Sequence, residues 1–311
     1  MNTLKRKAAV AAASVAIAFG TTAVVAEPAA AAISCETSSS GKLASFYSGL
    51  SASYAYDSRF AKGPAVPELD TYTPQGVATW YGWDGGNDLL VISAYRDGHD
   101  AHLIGIDAKT GKHVGTVAIA ATHAGGIAIT QGWAFVQGAG DSIRKYKLSE
   151  LKAAMKKAGT PALKQVGEAR KVYGASFLTS YGDNLYAGKF SATGHEKMYR
   201  YKVGTDGSLT TQSGAYEVPT KTQGLMVTKS HFVFSTSYGN DNRGNIYVVD
   251  AGARDIDKSS TRCYRSPSMN EGMTESGGYA YLVFESGAAQ YVAKNPRNII
   301  RNLHKARVSG L

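Results

Sequence analysis

Apolar and polar positions along this chain fall into short runs that recur about every fifty residues. Five times a small residue opens an apolar strand: Gln75-Gly76-Val77-Ala78, Gly125-Gly126-Ile127-Ala128, Ala175-Ser176-Phe177-Leu178, Gln223-Gly224-Leu225-Met226 and Glu271-Gly272-Met273-Thr274. The second residues of these starts are spaced by 50, 50, 48 and 48 positions. Such a period is too long for single hairpins or helix pairs and matches one four-stranded propeller blade. A second apolar run follows each start: Leu89-Leu90-Val91-Ile92, Trp133-Ala134-Phe135-Val136, Leu185-Tyr186-Ala187, His231-Phe232-Val233-Phe234 and Tyr281-Leu282-Val283-Phe284. These inner strands are nearly continuous in apolar residues, the pattern of strands covered on both faces. Gly, Asn and Asp punctuate the turns between them, as in Gly85-Gly86-Asn87 and Asp183-Asn184.

The expected fold is therefore all-β, a five-bladed β-propeller over residues 71–292 with blades starting near 75, 125, 175, 223 and 271. Third strands are read at Leu103-Ile104, Ile143-Arg144, Met198-Tyr199, Ile246-Tyr247 and Ala289-Gln290-Tyr291. The fifth repeat stops there and runs into a tail, 293–311, whose residues 298–306 have a helical look. An outer strand for that blade must come from elsewhere. Residues 33–70 supply it, with the region 53–60 as the expected ring-closing N-terminal strand. The lysine-rich stretch 149–157 carries Leu151 and Met155 at helical spacing and reads as a short surface helix.

Residues 1–32 are expected to lie outside the fold. Lys5, Arg6 and Lys7 precede an apolar stretch, and Ala29-Ala30-Ala31-Ala32 offers small-residue cleavage, so this reads as a signal peptide of a secreted, extracellular protein. The apolar stretch is too short for a membrane span. The chain carries a net charge of +10, which falls to +8 without Lys5, Arg6, Lys7 and Glu27. A modest positive balance spread along the chain suits an anionic cell-surface polymer; nucleic acid is not expected, because the basic residues form no stripe. Cys35 and Cys263 are the two cysteines, an even number in an oxidising compartment, and are expected to form a disulfide.

Two columns of residues converge on the axis of such a ring. The strand starts contribute Gln75, Gln223 and Glu271, with His123 two residues ahead of Gly125. The ends of the second strands contribute Ser93, Gln137, Lys189, Ser235 and Glu285. A dry core excludes unpaired charge, so Lys189 and Glu285 point to a polar channel. Glu271 and Glu285 are the acid–base candidates and Lys189 their charge partner. Gln75, His123, Gln137, Gln223, Ser93 and Ser235 are the candidate ligand-binding residues. Asp97, His99, Asp100 and His102 form a polar loop, but metal ligation is not expected, and no cofactor motif is present.

The strand starts, with Ser235-Thr236-Ser237-Tyr238-Gly239 and Phe284-Glu285-Ser286-Gly287, resemble a family of secreted actinobacterial propeller proteins without an assigned activity. More distantly, Thr222-Gln223-Gly224-Leu225 and Glu285-Ser286 are similar to motifs of the five-bladed glutaminyl cyclotransferases. That resemblance implies cyclisation of an N-terminal glutamine, although Ser235 and Ser93 stand where that family carries glutamate. The leading expectation is a monomer that binds a small polar molecule, glycan or peptide end at one axial site, since the blades diverge from one another. An enzyme using the channel carboxylates, and an extracellular protein-interaction scaffold, are the alternatives.

Overall fold

A short helix, α1 (Tyr54–Asp57), and a strand, β1 (Phe60–Ala65), precede the repeats in the computed structural model, which describes residues 33–311. The expected signal peptide lies outside the described residues. Blade 1 comprises β2 (Thr73–Asp84), β3 (Asn87–Tyr95), β4 (Ala101–Asp107) and β5 (His113–Ile119). Blade 2 starts with β6 (Ile127–Thr130), β7 (Trp133–Gln137) and β8 (Ser142–Lys147). Helix α2 (Leu148–Met155) and β9 (Ala162–Leu163) follow, β9 running parallel to β5, before β10 (Arg170–Lys171) completes blade 2 on β8.

Blade 3 holds β11 (Phe177–Tyr181), β12 (Asn184–Gly188), β13 (Glu196–Val203) and β14 (Leu209–Thr211), and β15 (Tyr216–Val218) also pairs with β13. Blade 4 holds β16 (Thr222–Val227), β17 (His231–Thr236), β18 (Gly244–Asp250) and β19 (Thr261–Ser266). Blade 5 holds β20 (Asn270–Ser276), β21 (Tyr279–Phe284) and, after helix α3 (Ala289–Val292), β22 (Asn302–Arg307). Strand β1 is its outer strand, pairing Phe60 with Ala306 and Ala61 with Lys305. The five-bladed propeller is thus closed by an N-terminal strand, as expected.

Alternation explains the continuous apolar runs. In β3, Leu89 and Val91 face the core between blades 1 and 2, whereas Leu90 and Ile92 face the core between blades 5 and 1. Successive side chains point to opposite faces, so a strand sandwiched between neighbouring blades has no polar face. The same logic builds the cores between blades 2 and 3, 3 and 4, and 4 and 5.

Three local features differ from the sequence expectation. Ring closure uses β1, because Ser53 caps α1 and accepts from the Tyr56 N–H at 3.1 Å, making residues 54–57 a helical turn. The third strand of blade 5 is β22, while Ala289-Gln290-Tyr291 lies in α3. The chain leaves the sheet after Phe284, Gly287 allows the Ile300 backbone to approach where a Cβ would stand 2.2 Å from its carbonyl, and the following alanines and glutamine favour a helical turn. Strand β22 was masked by its cations: Lys305 and Arg307 lie over the Tyr279 ring at 5.6 and 5.0 Å, while Leu303 and Ala306 are buried.

The small residues at the strand starts have a steric cause. A Cβ on Gly126 would lie 2.2 Å from the Leu178 amide nitrogen, and one on Gly272 would lie 2.7 Å from the Gly76 Cα. Neighbouring inner strands therefore meet backbone to backbone at this level. Blade 3 uses Ser176 instead. The ring is pinched here.

Cys35 and Cys263 are joined in a disulfide, with Cα atoms 4.4 Å apart. Glu36 extends the tie, donating its N–H to the Cys263 carbonyl at 2.9 Å and accepting from the Arg265 N–H at 2.9 Å. The N-terminal segment is thereby fastened to blade 4 before it crosses to close blade 5. No helix among the described residues is long and apolar enough to cross a membrane.

Candidate functional site

Bulges aim three of the sequence-derived residues. Along β2, Pro74 pairs with Ala94 and Gly76 with Ser93, leaving Gln75 as the extra residue. Along β16, Thr222 pairs with Thr236 and Gly224 with Ser235, leaving Gln223 extra. The register of β20 likewise shifts between Asn270 and Met273, where Glu271 sits. A bulge frees a side chain from the regular alternation and re-aims it, a device common next to functional sites.

Gln75 is buried and its amide donates to a carboxylate oxygen of Glu285 and, at 3.2 Å, to the Pro74 carbonyl. Glu285 and Glu271 both belong to blade 5, just past the end of β21 and at the start of β20 respectively, and the charge of Glu285 acts on Glu271. Glu271 is 2% exposed, and its Oε1 has no hydrogen-bond partner. Burial pushes its carboxyl well above the usual range, and the charge of Glu285 pushes it further. Burial also raises Glu285, to about 7, against the pull of hydrogen bonds from Gln75 and Tyr291 and the charge of Lys294. Two carboxyls whose ionisation is opposed by burial thus lie at the same end of blade 5.

An aromatic and amide wall extends from them. The Tyr291 hydroxyl lies 3.5 Å from that of Tyr95, to which Gln290 Nε2 also donates at 3.3 Å. The His123 ring is packed against Tyr95, with centroids 4.3 Å apart. Partial desolvation, against the pull of Asp97, holds the His123 imidazole below the ordinary value. Beside this network is a cleft of about 220 Å³ whose walls include Thr73, Tyr95, Asp97 and Gln290. Ser268 Oγ, Asn270 Oδ1 and Ser286 Oγ, close in sequence to the two carboxyls, are also buried without partners. Native interiors leave few such atoms, so each marks a place where a polar group is wanted.

The remaining predicted residues hold the strand starts. Ser93 Oγ accepts from the Gly76 N–H at 3.1 Å and donates to the Ala124 carbonyl at 2.8 Å, tying blade 1 to blade 2. Gln137 Oε1 accepts from the Gly125 N–H at 2.6 Å. Ser235 Oγ donates to the backbone carbonyl of Glu271, fixing that residue from blade 4. Gln223 is half-buried at its bulge. Lys189 is not brought to the carboxyls: its ammonium lies 5.9 Å from the Tyr173 ring centroid on blade 3.

Sequence reasoning missed Tyr95, Gln290, Tyr291 and Lys294. Tyr95 stands two residues beyond Ser93, a signal that was available. Gln290 and Tyr291 were hidden by the assignment of 289–291 to a strand, and Lys294 by the assignment of 293–311 to a tail. In the polar loop, His102 departs from its neighbours and its Nδ1 pairs with Glu68 Oε2 at 2.6 Å. Among the described residues no group of three or more His, Cys, Asp or Glu is arranged to hold a metal ion.

No family model matches the sequence, and no curated protein does. Solved structures do align with it. Hydrazine synthase of Kuenenia stuttgartiensis is 14% identical, with a TM-score of 0.39 over 69% of this chain. A quinoprotein alcohol dehydrogenase-like protein of Bacteroides thetaiotaomicron is 16% identical, with a TM-score of 0.38 over 71% of this chain. The β-propeller domain of Cps50 (Swd1) from Myceliophteria thermophila is 11% identical, with a TM-score of 0.37 over 73%. This chain spans 56%, 50% and 66% of the length of those three chains.

Proposed function

We propose that the protein binds a small polar ligand carrying a protonated amine, of the kind found at the amino end of a peptide, in the carboxyl-lined mouth of the ring. One observation carries this reading: Glu271 Oε1 is buried without a partner beside a second carboxyl, with Asn270 Oδ1 also unpartnered nearby. These are acceptors awaiting donors, and an ammonium group has three donors and a charge that offsets the cost of ionising the pair. The adjoining cleft of about 220 Å³ is small for a drug-sized ligand and suits a group of a few heavy atoms. The Cys35–Cys263 bond is in keeping with an oxidising, extracellular location.

Calorimetry with tripeptide amides tests the reading. A free amino end should bind and release protons near pH 7, its acetylated counterpart should not, and Glu271→Gln and Glu285→Gln should each abolish binding. Equal binding of the acetylated peptide, or none by either, overturns it. A second reading is favoured by Glu285 lying at about 7, which suits a group that exchanges protons at neutral pH. In that reading the carboxyls serve cyclisation of an N-terminal glutamine, the amine attacking the side-chain amide carbon as ammonia leaves. Ammonia release from a glutaminyl peptide, lost in Glu285→Gln, would support it.

A further inference from the structure

The far end of the axis holds the larger cavity, about 620 Å³, bounded by the C-terminal halves of β2, β6, β11, β16 and β20. It lies beyond the glycine pinch and shares no residue with the carboxyl mouth. We infer that this cavity is a second, independent binding site for a neutral carbohydrate of about one or two pyranose rings, held between the rim tyrosines Tyr81 and Tyr181 above walls of threonine and serine hydroxyls. Its volume falls within the range of small-molecule sites.

The wall chemistry selects the ligand class. Thr79 donates to the Glu275 carbonyl at 2.6 Å, Ser180 to the Ile129 carbonyl at 2.8 Å and Thr130 to the Gly182 carbonyl at 2.7 Å. Each of these hydroxyls has committed its proton to a neighbouring blade and keeps lone pairs that accept. Acceptors of this kind suit a ligand rich in O–H donors. The rim carboxylate, Glu275, is already engaged, receiving the Tyr81 hydroxyl at 2.8 Å and the Gly278 N–H at 2.7 Å. The lining carries one basic side chain, Lys229, and one acidic side chain, Glu275, so its formal charges cancel and neither sign of ligand is favoured.

The rim supplies the apolar half of the recognition. Tyr81 is 59% exposed and Tyr181 is 43% exposed. An exposed aromatic ring is a platform for the C–H face of a pyranose. Tyr81 is held by its bonds to Glu275 Oε2 and the Glu275 carbonyl, so little ordering is required when a sugar arrives. Trp80 lines the same cavity, edge-on to Trp83 with centroids 4.7 Å apart, and provides an internal reporter.

The experiment titrates the intact protein with cellobiose, maltose and N,N′-diacetylchitobiose up to about 10 mM, reading tryptophan fluorescence and saturation-transfer NMR. At least one sugar should shift the fluorescence, and Tyr81→Ala and Tyr181→Ala should each weaken its binding roughly tenfold or more. Thr179→Val, a near-isosteric change in the wall, should weaken it with no loss of melting temperature. Glu285→Gln should leave it unchanged, which separates this site from the amine-binding mouth. Retention on insoluble cellulose or chitin in addition would assign a polymer end as the source; binding of the disaccharide alone would assign a free sugar. Failure of all three sugars to give a signal, or binding unaltered in both tyrosine variants, overturns the inference.

Discussion

Gln75 on blade 1 donates its side-chain amide to the carboxylate of Glu285 on blade 5, across the seam where the ring closes. The bond joins residues 210 positions apart. It favours the ionised form of Glu285 and opposes the burial that raises it. Substituting Gln75→Leu should therefore move the Glu285 titration upward from about 7. Carbon-detected NMR of labelled glutamate would read the shift, and an unmoved or lowered titration would refute the assignment.

Stability should gain from neutralising the carboxyl pair, and only above the acid range. Glu285 has a folded value of about 7, above the usual 4.5 of the unfolded chain. Its contribution is thus fully present below about pH 4.5 and is lost as pH rises through 7. Glu285→Gln should stabilise the fold by about 2–3 kcal/mol at pH 8 and leave it nearly unchanged at pH 4. Chemical denaturation at the two pH values would check this; an equal effect at both would count against a buried, reluctant carboxyl.

His304 gives the opposite slope. It is 1% exposed, its Nδ1 lies 2.7 Å from the Tyr56 hydroxyl, and burial lowers it from 6.5 to about 3. The unfolded chain takes up a proton near pH 6.5 that the folded chain refuses until about pH 3. Stability is therefore complete above 6.5 and falls on acidification through that window, by roughly 1.4 kcal/mol per pH unit. His304→Gln should flatten this limb in melting curves collected from pH 6.5 to pH 4. A limb as steep as that of the parent would remove His304 as its cause.

The pinch at the strand starts predicts an asymmetry among blades. Gly126→Ala places a carbon against the backbone of β11 and should cost about 3 kcal/mol or more, since backbone cannot yield as a side chain can. Ser176→Ala, at the equivalent place in blade 3, already accommodates a Cβ and should change stability by less than about 1 kcal/mol. Equal costs at the two positions would mean that the pinch is not steric.

Part of the site was legible in one dimension. Glu271, Glu285 and Gln75 stand out because each is polar beside an apolar run, and a ring architecture brings such positions together. The same reasoning placed Lys189 with them, whereas the cation acting on Glu285 is Lys294. That lysine follows α3, a helical turn that the repeat pattern did not announce. Ser93 and Ser235 belong to the same column by sequence. Their hydroxyls are nevertheless engaged with the backbone of adjoining blades, a contact no local pattern announces.

The amino-acid order by itself determined the number of blades, the closing role of the N-terminal segment and the Cys35–Cys263 pairing. Burial on both faces imposes an apolar run on every inner strand, and the run repeats because the blade repeats. Tertiary structure alone decided which polar groups meet at the two ends of the axis. Bulges at Gln75, Gln223 and Glu271, and the chain's departure from the sheet after Phe284, set those directions. They arise where neighbouring backbones touch, and the touching strands lie fifty or two hundred residues apart.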